Sequence, residues 1–139
     1  MNQYTVLRVI AKIMIPVILL YGLYIQFHGE YSPGGGFQAG IIFAAGFVIY
    51  TLIYGLDKVQ QAIPPVVVHI LAAFGVFLFI AFGIAGMLLG GNFLEYKVLL
   101  PDTHAAETLG IIGIELGVGI TVATVAITLF YAFAGREQD

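Results

Sequence analysis

The chain has 139 residues, of which 60% are hydrophobic and only 9% charged. A soluble domain carries roughly 25% charged residues, so a surface facing water all round is excluded and an integral membrane protein is expected. The formal net charge is −3 with no basic cluster, which argues against nucleic acid as a partner, and the absence of cysteine excludes disulfides and thiolate metal ligands.

A helix needs about 20 mostly apolar residues to cross a hydrocarbon core of about 30 Å. Four stretches meet that requirement. The first runs from about Thr5 to Phe27, and the second from about Phe37 to Leu56. The third covers about Val66 to Leu89, and the fourth about Ala105 to Ala134. The runs are continuous rather than alternating, which excludes barrel strands. The expected fold class is all-α, with four transmembrane helices in a single domain over residues 1–139.

In chain order, the N-terminus lacks the pattern of a cleaved signal peptide, since no A-x-A-like site follows its apolar run. Arg8 and Lys12 stand one turn apart on the first helix and can snorkel to the interface. Lys12, the deeper of the two, is also open to pairing with a carboxylate of another helix or subunit. Next comes Gly29-Glu30-Tyr31-Ser32-Pro33-Gly34-Gly35-Gly36-Phe37-Gln38-Ala39-Gly40. Three adjacent glycines raise the backbone entropy lost on folding. They suit a place where backbone passes very close to other backbone, or exposes its amides and carbonyls to a ligand or ion. A plain flexible hairpin between two helices is the competing reading.

The second connection holds Asp57-Lys58 and Pro64-Pro65, and the prolines suit a helix start. In the third helix, Ala72, Gly75, Gly83, Gly86 and Gly90 share a broad side. The third connection, Gly90 to His104, includes Lys97 and Pro101. The fourth run, about 30 residues or roughly 45 Å long, should tilt or project beyond the lipid. At 100° per residue, Ala106, Gly110, Gly113, Gly117, Thr121, Thr124 and Thr128 fall in one wedge about 80° wide. His104, Glu107, Ile111 and Glu115 fall in another, almost opposite. Small residues let helices approach closely in lipid, so Gly83, Gly86, Gly110, Gly113 and Gly117 are expected at helix contacts within the chain or with partners.

Glu115 is the sharpest single residue. It lies about ten residues into the apolar run, where a charge costs about 2.5–3.5 kcal/mol on insertion scales. Such a carboxylate faces protein or water, which makes it a candidate proton or cation carrier; a purely structural polar contact is the alternative. Glu107 is weaker evidence, because a helix's first turn favours a carboxylate in any case. His28, His69 and His104 lie apart, without metal-ligand spacing, so no metal site or cofactor is expected. Of five Lys and Arg residues, Arg8, Lys12, Lys58 and Arg136 fall on one side and Lys97 on the other. The positive-inside rule then predicts both termini in the cytoplasm.

Pro33-Gly34-Gly35-Gly36-Phe37 followed by Gly40 resembles the signature of the MnhB domain, found in Mrp-type multisubunit Na+/H+ antiporters. Glu115-Leu116-Gly117-Val118 is similar to the acidic-apolar-Gly-Val motif of that family's last helix, and Glu107 corresponds to a second acidic residue eight positions earlier. Order and spacing agree along nearly the whole chain. The chain departs at Glu30, where members often carry a histidine, so a role given to that histidine does not transfer.

The resemblance implies a multi-pass protein of the cell (inner) membrane with no active site of its own, not an enzyme. Its partners would be large proton-pump-like subunits and small membrane subunits of a complex exchanging Na+ for H+. Related subunits occur in the membrane arms of energy-converting hydrogenases and similar respiratory complexes. Two readings follow. Either the chain contributes Glu115, with Glu107, Glu30 and Lys12 as further candidates, to an ion path, or it is a structural scaffold. A self-sufficient homodimeric exporter is a third, weaker possibility.

Overall fold

A computed structural model describes residues 3–29, 31 and 34–136, and these residues contain helices and no strand. Four helices are long and apolar enough to span a bilayer: α1 (Gln3–Phe27), α2 (Gly36–Tyr54), α4 (Pro65–Leu88) and α5 (Thr103–Arg136). A short α3 (Leu56–Ala62) joins α2 to α4, and a 3₁₀ turn (Tyr96–Val98) interrupts the connection from α4 to α5. The all-α fold with four spans expected from hydropathy is therefore present.

Two elements differ from the sequence reading. The second span stops at Tyr54, because Gly55 adopts φ 96° and breaks the helix with a conformation that side chains rarely tolerate. The residues read as a bare connection then form α3. Leu56 and Val59, three apart and so on one face, are buried, while Asp57 and Lys58 are exposed. Pro64 and Pro65 start α4 at the position where a missing amide hydrogen costs nothing. Pro16 lies inside α1 and removes a hydrogen bond there, a defect that helices in lipid tolerate.

The spanning helices pack in the order α1, α2, α5, α4, so α5 lies between α2 and α4. Val68 of α4 and Ile127 of α5 share a buried cluster with Ala44, Leu56, Val59 and Tyr131. The Tyr131 hydroxyl donates to the Ile63 carbonyl at 3.4 Å, which ties the end of α3 to the end of α5. Arg8, Lys12, Lys58 and Arg136 thus gather toward one end of the layer, and Lys97 lies at the other.

Large apolar side chains such as Leu20, Phe77, Leu88 and Phe133 remain exposed. In a membrane they meet lipid or partner helices rather than water. Over α5, bounded by the end of α1, by α2 and by α4, runs an almost wholly apolar groove of about 230 Å³, lined by residues including Gln26, Phe43, Phe47, Val68, Leu71 and Ala123.

Candidate functional site: a carboxylate under a glycine cap

The site begins where α1 ends. The chain turns after Phe27, with the Tyr31 amide donating to the His28 carbonyl at 3.0 Å, and enters α2 at Gly36 with Gly35 as its N-cap. Each of these glycines leaves room for something specific on α5. A Cβ on Gly29 would strike the Glu115 carboxylate, and one on Gly35 would come within 2.8 Å of Glu115 Oε1. A Cβ on Gly36 would strike the Glu115 carbonyl, and one on Gly40 would lie 2.8 Å from the Gly119 carbonyl. Backbone is thus laid directly on the Glu115 side of α5, which is the close approach that a glycine run permits.

Not all of the segment takes part. Gly34 lies against the Gln38 side chain instead of α5. Phe37 is exposed and takes no part in the cap. Glu30 and Pro33 lie outside the described residues.

Beneath the cap, Glu115 Oε2 is buried and has no hydrogen-bond partner. A second orphan accompanies it. Gln26, in the last turn of α1, is 6% exposed, and its Nε2 also lacks a partner. Its amide oxygen rests on Gly119, one turn along α5 from Glu115. Buried polar groups are nearly always hydrogen-bonded, and leaving one unsatisfied costs about 1–3 kcal/mol. The two residues thus lie against successive turns of α5, each with one side-chain atom that the protein itself leaves without a partner.

The other candidate residues are spread out. Glu107 lies two turns toward the start of α5, about 12 Å along the axis, and pairs with Lys97 at 3.4 Å. That pair is largely exposed. Lys12 is exposed on α1, fourteen positions before Gln26 and so about 21 Å from it along the helix. Its ammonium is therefore not brought to Glu115 within this chain. Among the described residues no group of three His, Cys, Asp or Glu could hold a metal ion.

The small-residue wedge of α5 meets two different partners. Gly117 faces α4, where a Cβ would lie 2.9 Å from the Gly75 carbonyl, and Gly113 holds the Phe82 ring. The Thr121 hydroxyl seats on Gly75 and donates to the Gly117 carbonyl at 2.8 Å. Farther along, Gly83 and Gly110 receive the Phe93 and Tyr96 side chains, and Gly86 borders Asn92 and Glu95. These three glycines therefore seat the folded α4–α5 connection instead of the helix contacts that small residues predict. Leu94, with φ 65°, lets that connection turn inward.

Comparison with known proteins bears on what this arrangement serves. Residues 6–128 match the model of a domain related to the MnhB subunit of Na+/H+ antiporters. The chain belongs to the MnhB family. Its relatives include proteins of Staphylococcus aureus strains Newman, JH1 and USA300, provisionally named antiporter subunit mnhB2. Each is 30% identical over 136 residues, covering 96% of this chain and 96% of the relative. The family resemblance read from the glycine and Glu115 motifs is thereby established.

Within this MnhB chain, sequence reasoning overlooked Gln26 and Gly119. The available signal was slight: Gln26 is the one amide between Ile25 and Phe27 in an otherwise apolar turn. A polar residue at the end of a span reads as an interfacial residue. Only the fold brings it to α5.

Proposed function

We propose that this MnhB-family chain is a membrane subunit of a multisubunit Na+/H+ antiporter of the cell membrane, and that Glu115 lies on the ion path of that complex. The family supports the first part: it is a family of transporter subunits, not of enzymes. The observation that carries the second is the buried Glu115 Oε2 with no partner, pressed under Gly29 and Gly35. A carboxylate at this depth in a spanning helix faces protein or water. Here the protein side is backbone that offers it no bond, which leaves a mobile ion or water as its natural partner.

In this reading the termini and the Lys58 connection face the cytoplasm, by the positive-inside rule. The glycine cap and the Lys97–Glu107 pair face the other side. Na+ and H+ are the transported ions, and large proton-pump-like subunits with small membrane subunits are the partners.

A scaffold role, in this complex or in a related hydrogenase or respiratory membrane arm, has its own support. The helices form an open layer whose exposed apolar faces suit partner helices. One experiment separates the two. Glu115→Gln keeps the shape and removes the charge. Sodium-driven proton movement in everted vesicles should fall at least about tenfold, while native gels show the assembled complex unchanged. Full antiport by an assembled Glu115→Gln complex would leave the scaffold reading standing.

A further inference from the structure

We infer that Gln26 and Glu115 together hold a water molecule, and that this water gives the Glu115 carboxylate a partner for proton exchange. The inference rests on Glu115 lying on the ion path, and it adds a residue and a ligand to that reading. Its basis is the complementarity of the two orphan atoms. Gln26 Nε2 is a donor without an acceptor, and Glu115 Oε2 is an acceptor without a donor. One water accepts from the first and donates to the second, meeting both needs with a single molecule.

The geometry holds the amide in place. The end of the Gln26 side chain lies in the space that a side chain at position 119 would occupy, and Gly119 exists there as glycine. Three residues after Gln26, Gly29 opens space for the Glu115 carboxylate in the same manner. The last turn of α1 and the residues after it thus address two successive turns of α5, with the amide on one and the carboxylate on the other. Gln26 is a positioning residue in this scheme: it fixes the water, and the water meets the carboxylate.

Few charges compete for control of Glu115. On α1 and its turn, His28 stacks on Tyr24 at 4.9 Å and lies tilted against Tyr31 at 5.7 Å. On α5, Glu107 is two turns away and already paired with Lys97, with the exposed His104 beyond it. The ionisable residues of α2 (Tyr50, Tyr54) and α4 (His69) lie toward the far ends of those helices. Facing α5 near this level, α4 supplies Phe79 and Phe82. In the α4–α5 connection, the Glu95 carboxylate is engaged locally, accepting from the Asn92 amide at 2.8 Å. Tyr96 sits on Gly110, and Asp102 accepts from the His104 amide at 3.1 Å. Glu30 lies outside the described residues.

The test uses infrared spectroscopy on the purified, assembled complex, titrated with pH. The protonated-carboxyl band of Glu115 is identified by its loss in Glu115→Gln. Gln26→Met keeps the bulk of the side chain and removes the donor. Gly119→Ala displaces the same amide from the α5 side, and the nearest backbone atom to its new methyl group, the Gly36 carbonyl oxygen, lies at 3.4 Å, an ordinary contact, so this variant should assemble.

In both variants the midpoint of the Glu115 band should move upward by about half a unit to one unit, the size expected for one hydrogen bond. The ionised form has lost the water that donates to it. The pH profile of antiport should shift in step, with the sodium concentration for half-maximal rate unchanged. An unmoved midpoint in both variants would overturn the inference, as would a change confined to the sodium dependence. Wild-type antiport by Glu115→Gln, with the spectroscopic shifts present, would instead overturn the ion-path reading alone.

Discussion

The two sides of α5 use glycine for opposite purposes. On the α4 side, Gly75, Gly83, Gly110 and Gly113 make room for other groups: the Thr121 hydroxyl and the Phe93, Tyr96 and Phe82 side chains. The Thr121 hydroxyl donates back to its own helix backbone at 2.8 Å, so little polar capacity is left over. On the α1–α2 side, Gly29, Gly35, Gly36 and Gly40 make room for a carboxylate and for carbonyl oxygens. There one carboxylate oxygen, Glu115 Oε2, is left without a partner. Glycines in a span look alike in a sequence, and what separates a seam from a site is the group that fills the space beside them.

The largest effect should come from closing the cap. Gly36→Leu would drive a side chain into the Glu115 carbonyl, a backbone atom that can yield only if the helices part. Overpacking of this kind costs about 1–3 kcal/mol or more. Loss of the assembled complex on native gels is the expected outcome. A normal complex carrying Gly36→Leu would mean that α2 does not lie on α5 as described.

The seam should be more forgiving where its neighbours are side chains. Gly83→Ala meets the Phe93 ring, which belongs to a connection and can shift. Assembly and antiport should survive, with thermal stability of the complex reduced by about 1 kcal/mol. Equal damage from Gly83→Ala and Gly36→Leu would erase the distinction drawn between the two sides.

Gly55→Ala isolates a purely conformational cost. No atom lies within 4 Å of the added Cβ, yet φ is 96°. Destabilisation of about 1–3 kcal/mol, with unchanged antiport per assembled complex, would be read from a melting curve. The smallest effect is expected at the Lys97–Glu107 pair, whose side chains are 63% and 37% exposed. Lys97→Ala should change stability by no more than about 1 kcal/mol and leave the transport rate within about twofold. A large transport loss would extend the ion path outward to Glu107.

Hydropathy made the four spans legible, because lipid demands long apolar runs and little else in the chain resembles them. Glu115 was legible for the same reason, as a charge where charge is expensive. The break at Gly55 was not, since an isolated glycine among apolar residues gives no sign that its φ will be positive. The seats of Phe93 and Tyr96 were hidden because a connection's fold depends on the helices it lies against. Gln26 was hidden more deeply: its meaning comes from Gly119, a residue far along the chain that carries no side chain to signal a contact.

The most direct measurement compares Glu115→Gln with Glu115→Asp in the assembled antiporter, scoring sodium-driven proton movement against the amount of intact complex. A carboxylate that carries the ion predicts near-complete loss with the amide and partial recovery with the shorter acid. Equal, wild-type rates from both would contradict it.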